Sequence, residues 1–114
     1  MESIEKARRI VEISSDKSAS DIALLDTRAV SSLADYFVIV SGESPRQLAA
    51  LSDEIERSLK KERISPLRRE GTAASGWMLL DYGDIIVHVF SSPEREYYKL
   101  DELWSLAKPV VRIA

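Results

Sequence analysis

Apolar residues recur along this chain at two different spacings, and the places where the spacing changes mark its elements. Over residues 2–15, Ile4, Ala7 and Val11 share one helical stripe that Ile10 and Ile13 widen, with Glu5, Lys6, Arg8, Arg9 and Glu12 mostly outside it. That spacing predicts a surface helix packed on a sheet. A short polar connection over residues 16–20 leads to Asp21–Thr27, whose IALLD run predicts a strand, although Ala and Leu are weak strand formers. Residues 28–35 keep no period and read as a loop. Tyr36–Val40 (YFVIV) is aromatic and β-branched throughout, the composition of a strand buried on both faces, and is the best candidate for the centre of the sheet. Ser44 then caps a second helix with Pro45 in its first turn and Gln47 as capping-box partner. Its stripe is Leu48, Leu51, Ile55 and Leu59, and Lys60, Lys61 and Arg63 suit its negative end. A strand over Ser65–Glu70 would complete a crossover unit.

The central stretch is Trp77–Phe90, WMLLDYGDIIVHVF, in which two apolar runs meet at Asp81-Tyr82-Gly83-Asp84. It predicts an antiparallel hairpin with Tyr82-Gly83 as a two-residue loop, so that Leu80 faces Ile85, Leu79 faces Ile86 and Trp77 faces His88. Alternation puts Met78, Leu80, Ile85, Val87 and Val89 on one apolar face. Trp77, Leu79, Asp81, Asp84, Ile86, His88 and Phe90 fall on the other. The small, glycine-bounded run over residues 71–76 ahead of the hairpin reads as a flexible feed. After it, Ser91-Ser92-Pro93 starts a last helix with the stripe Leu100, Leu103, Trp104 and Ala107, ended by Pro109. The tail Val110–Ile113 is either a short strand or irregular. These elements sum to one α/β domain over residues 1–114, a layer sandwich of a mixed sheet of about five strands and three main helices.

Composition narrows the function. Against 19 acidic residues stand 16 Lys and Arg, a net charge of −3 that offers little general field for a phosphate backbone. The chain has no cysteine, which removes disulfides and thiolate chemistry. Its apolar runs are strand-sized, so neither a secretory leader nor a membrane span is expected; the balance suits the cytoplasm.

Candidate catalytic groups do not converge in the sequence. His88 is the sole histidine, inside a strand, with Asp81 and Asp84 at the far end of its hairpin, so a structural or interface role outweighs general-base work. Asp81 and Asp84 flank a turn, a setting that explains aspartates locally. Asp21, Asp26 and Asp35 sit near strand ends and keep open a nucleotide-binding or phosphotransfer enzyme as the alternative. Ser41-Gly42-Glu43-Ser44-Pro45 precedes a helix N-terminus, but Pro45 lacks an amide donor and Glu43 repels anions. Direct RNA binding would rely on Arg8, Arg9, Arg68 and Arg69. The favoured surface is the mixed hairpin face, where Trp77 and Leu79 beside Asp81, Asp84 and perimeter Glu70 form a protein-docking patch for a partner with basic residues. Trp104 docks the last helix; Tyr97 and Tyr98 point apart, so at least one is partly exposed.

Several phrases together resemble one family. SSLADYFVIVSG over Ser31–Gly42, the Ser44-Pro45-Arg46-Gln47 helix entry, Glu70-Gly71, GWMLLDYGDIIVHVF over Gly76–Phe90, and Arg95 with YYKLDELW ending at Trp104 are similar to the ribosomal silencing factor, or Iojap-like, family. The resemblance implies a non-enzymatic translational repressor without cofactor or metal. It implies binding to the large ribosomal subunit through ribosomal protein L-fourteen, obstructing the small subunit. It further implies a nucleotidyltransferase-like topology without the catalytic residues, and homodimers; little direct nucleic-acid binding is expected from the acidic balance. Carried onto this chain, the ribosomal contact involves Trp77, Leu79, Asp81, Glu70 and Tyr98.

Overall fold

The computed structural model describes residues 1–98 and 106–114. Its elements are α1 (Ser3–Asp16), β1 (Ser20–Asp26), β2 (Tyr36–Gly42), α2 (Pro45–Lys60), β3 (Arg68–Thr72), a 3-10 turn (Ala73–Ser75), β4 (Trp77–Asp81), β5 (Ile85–Ser91), α3 (Ser92–Tyr97) and β6 (Lys108–Ile113). The strands form one six-stranded sheet in the order β3-β4-β5-β2-β1-β6. Only the β2 and β5 pair is parallel; every other neighbour is antiparallel, so the sheet is mixed, as expected. The sixth strand is the tail that the sequence left undecided: it pairs with β1 as an edge.

Both long helices lie on one face. Ala7, Ile10, Val11 and Ile13 of α1 and Leu48, Leu51, Ile55 and Leu59 of α2 pack in one buried cluster with Ile22, Leu24, Val38, Val40, Leu80, Ile85, Val87 and Val89. The helical stripes read from the sequence are therefore the buried ones, each Leu or Ile contributing about 1.5–3 kcal/mol by leaving water. α2 starts as expected at Ser44, whose Oγ accepts the Gln47 N–H at 3.1 Å. Gln47 closes the cap one residue further back than a capping box does, accepting the Glu43 N–H at 2.7 Å and donating to the Ser18 carbonyl at 3.0 Å.

The hairpin departs from the expected register. Trp77 pairs with Phe90, Leu79 with His88 and Asp81 with Ile86, so the loop is Gly83-Asp84 instead of Tyr82-Gly83. Tyr82 donates its N–H to the Ile85 carbonyl at 2.9 Å, and Gly83 takes the first loop position with φ 89°. Tyr82 is pulled out of the loop because its ring is buried in the helix-covered core. A slip of two residues in pairing keeps every side chain of the two strands on its original face, which is why the predicted apolar face survives.

Further corrections concern the neighbouring segments. The crossover through α2 does deliver β3 parallel to β2, but to the far edge of the sheet, leaving room that the hairpin fills. β3 begins at Arg68 instead of Ser65 and runs through Gly71. Gly71 has φ 79° there, and a Cβ on it would stand 2.1 Å from the Trp77 carbonyl oxygen, so this glycine serves a close strand approach and not a loose feed. The stretch beyond it is ordered as a 3-10 turn capped by Thr72, whose hydroxyl accepts the Ser75 N–H at 3.2 Å. α3 starts behind Ser91, next to the expected Pro93, and Ala107 is buried; the predicted positions Leu100, Leu103 and Trp104 lie outside the described residues.

Candidate partner-binding face

The face opposite α1 and α2 is built by strand alternation. Its rows across β3, β4, β5 and β2 are Arg68, Asp81, Ile86 and Phe37; Glu70, Leu79, His88 and Ile39; and Thr72, Trp77, Phe90 and Ser41. Toward β1 the face closes over a small apolar cluster of Ala23, Leu25, Ile39, Phe90 and Ala107, against which Phe37 and Trp77 pack while partly exposed. Toward β3 it opens: all five residues of that strand are exposed. The structure thus brings four of the five sequence-predicted contact residues together, with Trp77, Leu79 and Asp81 half-buried beside exposed Glu70, and Tyr98 packs on Trp77 from the end of α3.

The aromatic part is continuous. The Trp77 ring lies 5.9 Å from Phe90 and 6.3 Å from His88, centroid to centroid, within 12° of parallel in both cases. Tyr98 tilts against Trp77 and Phe90, each at 5.7 Å, and Tyr97 meets Tyr98 edge-on at 5.3 Å. Tyr97 and Tyr98 remain 75% and 49% exposed, so both tyrosines extend the aromatic surface to solvent. Such arrays favour association because large rings bury much area with little rotamer loss.

The charges are arranged differently from the sequence reading. Asp81 accepts from Arg68 Nε at 3.0 Å and from the Gly83 N–H at 2.8 Å, so it anchors the turn and is already neutralised by its strand neighbour. Asp84 does not belong to this face. Its carboxylate receives Ser3 Oγ at 2.6 Å and Lys6 Nζ at 3.0 Å, both from α1 on the helical side. Burial raises the Asp84 pKa, but hydrogen bonds from Ser3 and Lys6 outweigh it and hold the carboxyl below its ordinary value. An acidic patch of Asp81, Asp84 and Glu70 is therefore replaced by an Arg68–Asp81 pair with Glu70 beside it.

His88 occupies the interior of the face. Its Nδ1 accepts the Trp77 Nε1–H at 3.3 Å, which places the ring proton of the neutral imidazole on Nε2. Burial pushes its pKa down to about 4. With that nitrogen occupied by an indole, His88 lacks the carboxylate and nucleophile that a general base requires. The strand-end aspartates fare similarly. Asp26 is bound by Arg28 at 2.7 and 3.0 Å, Asp21 by Arg112 at 3.1 Å, and Asp35 accepts from Ser3 Oγ at 3.3 Å. Asp21 and Asp26 stand at opposite ends of β1, roughly 16 Å apart at strand rise. Among the described residues no group of three or more His, Asp or Glu side chains is gathered for a metal ion.

The remaining sequence candidates separate in space. Gly42 is closely packed, since a Cβ there would stand 2.9 Å from Leu48 Cδ2 and that side chain would have to shift, and Ser44 is committed to its cap. Arg8 borders β6, whereas Arg68 and Arg69 lie on β3 at the other edge of the sheet, with Arg69 paired to Glu56 and Arg9 to Glu12. They do not form one RNA-binding patch.

One residue escaped the sequence reading. Arg95 of α3 is only 6% exposed, donating to the Asp21 carbonyl and, at 2.8 Å, to Ser41 Oγ. It fastens α3 across β1 and β2, where Asp21 adopts φ 46° at a bulge. Hydropathy scores an arginine as surface, so the only signal was its place in the quoted family phrase.

Comparison with known proteins agrees with the phrases read from the sequence. The family model described as "Ribosomal silencing factor during starvation" matches residues 1–113. The ribosomal silencing factor of Bacillus subtilis is 43% identical over 89 residues, covering 78% of this chain and 75% of the relative. A crystal structure of a Chromobacterium violaceum protein superposes with a TM-score of 0.87 at 32% identity, covering 100% of this chain and 95% of the other. A second, from Bacillus halodurans, has a TM-score of 0.76 at 33% identity and 95% coverage of both chains. The chain belongs to the ribosomal silencing factor family, whose members are non-catalytic regulators of translation.

Proposed function

We propose that the protein represses translation by seating the β3–β4–β5 part of its open face on ribosomal protein L-fourteen of the large subunit. Once seated, its bulk excludes the small subunit. The observation that supports this reading is the aromatic surface of Trp77 and Tyr98, packed on buried Phe90 and left open toward an exposed edge strand while both long helices cover the opposite face. Trp77 and Leu79 supply the apolar centre, Tyr98 one flank, and Glu70 with the Arg68–Asp81 pair the polar rim that sets register. Repression by occupancy needs no turnover, and the aspartates that an enzyme would use are dispersed and individually bound.

In the same reading residues 1–114 act as one domain, an α/β fold of nucleotidyltransferase-like topology without its chemistry, working in the cytoplasm. A second copy would pair through the free edges of β3 or β6, and analytical ultracentrifugation tests that. The docking reading is tested by co-sedimentation with purified large subunits. Trp77→Ala is expected to stay folded and to weaken binding about tenfold. Unchanged binding would remove Trp77 from the contact, and a crosslinker placed at Glu70 that captures a different ribosomal protein would overturn the partner.

A further inference from the structure

Trp77 carries one hydrogen-bond donor, and the fold consumes it internally. Its Nε1–H points at His88 Nδ1, 3.3 Å away, with the two ring planes only 11° from parallel. His88 is itself confined, lying 5.7 Å from Phe90 at 13° and 5.4 Å from Phe37 at 60°. Because Leu79 is its cross-strand partner, His88 stands diagonally beneath the indole rather than opposite it, and their contact is a side-chain hydrogen bond and not a consequence of backbone pairing.

We propose that His88 is a positioning residue for the docking face. By accepting the indole N–H it locks Trp77 in one orientation, so that the partner meets an aromatic face and an apolar edge with no donor to satisfy. The partner group that fits this surface is an aliphatic or aromatic side chain; a carbonyl or carboxylate aimed at Trp77 would be desolvated without compensation. The inference rests on the docking reading above and adds the reason why the second-row residue of the hairpin is a histidine. A leucine or valine would fill the volume and leave a half-buried indole N–H unpaired, whereas a lysine or glutamate would introduce a charge between Phe37 and Phe90.

The test measures binding to purified large subunits by wild type, His88→Phe, His88→Asn and Trp77→Ala. His88→Phe keeps the ring stack and removes the acceptor; His88→Asn restores an acceptor oxygen at the Nδ1 position. The expected result is about tenfold weaker binding for His88→Phe, with His88→Asn within about threefold of wild type. Trp77→Phe removes the same hydrogen bond from the other side, so the loss caused by His88→Phe is expected to vanish in a Trp77→Phe background. A Trp104→Phe background leaves Trp77 as the sole fluorophore of the chain's two tryptophans. In it, the emission maximum shifts with His88→Phe and recovers with His88→Asn. Weakening by Trp77→Ala together with unchanged binding and emission for His88→Phe would overturn the positioning role while leaving the docking face intact. Unchanged binding for Trp77→Ala would instead defeat the docking reading itself. Should His88→Phe fail to fold, an additive loss in the same cycle between His88→Leu, which also lacks an acceptor, and Trp77→Phe would overturn the role equally.

Discussion

At the scale of single residues, two polar groups on opposite faces of the hairpin, one buried and one half-buried, have opposite consequences. The Tyr82 hydroxyl lies within the helix-covered core and meets no hydrogen-bond partner among the described residues, and burial raises its pKa. Tyr82→Phe removes a desolvated hydroxyl while keeping the ring, so it is expected to stabilise the protein by about 1 kcal/mol, read from the urea midpoint. A lower midpoint would mean that the hydroxyl has a partner. His88 is half-buried and neutral, its pKa pushed down by desolvation to about 4 against an ordinary 6.5. The unfolded chain therefore binds more protons between those values. The stability is fully present above about pH 6.5 and is lost as pH falls toward 4, by roughly 2 kcal/mol. Urea unfolding at pH 7 and pH 4.5 measures it, and His88→Phe should flatten the difference.

At the scale of elements, a single buried arginine fastens α3 to the sheet. Six helical residues cannot hold themselves in water, and Arg95 supplies the attachment by donating to the Asp21 carbonyl and Ser41 Oγ. Arg95→Leu leaves both acceptors without that donor. It is expected to cost about 2 kcal/mol and to raise amide hydrogen exchange in α3 more than in β5. Because Tyr98 ends this helix against Trp77, the same substitution should also weaken large-subunit binding, whereas uniform exchange changes would show that Arg95 supports the whole fold instead. The hairpin offers a contrasting lesson. Its turn slipped by one position from the local expectation because Tyr82 gains more from the core than from the loop, and Asp84 gains a lysine and a serine from α1.

At the scale of the whole molecule, the sheet separates two jobs. One face buries both helices and supplies most of the apolar core; the other closes over a smaller cluster near β1 and opens toward β3. The steric repression proposed above needs a rigid body behind its contact surface, and the large core provides that rigidity. If repression is by occupancy, inhibition of subunit joining should follow the fraction of large subunits bound and reach its limit at one protein per subunit. Light scattering during joining, with the protein added before or after the small subunit, checks this. Equal inhibition at far below one protein per subunit would require a catalytic action instead.

What this sequence determined by itself is everything that alternation and periodicity encode within one element. The stripes of α1 and α2, the central β2, the two hairpin faces and the Ser44 cap all follow from neighbours a few residues apart, and a register slip of two leaves them unchanged. Three of the contact candidates share one side of β4 for the same reason, since alternation alone puts Trp77, Leu79 and Asp81 there, whereas the β3–β4 pairing and the placement of α3 bring Glu70 and Tyr98 beside them. The family phrases, too, were legible as local strings. Only the tertiary structure decided the strand order, the place of the tail at the β1 edge, the removal of Asp84 to α1 and the burial of Arg95. Those outcomes join groups far apart in the chain, 74 residues for Arg95 with Asp21 and 78 for Lys6 with Asp84, and no local period carries information across such distances.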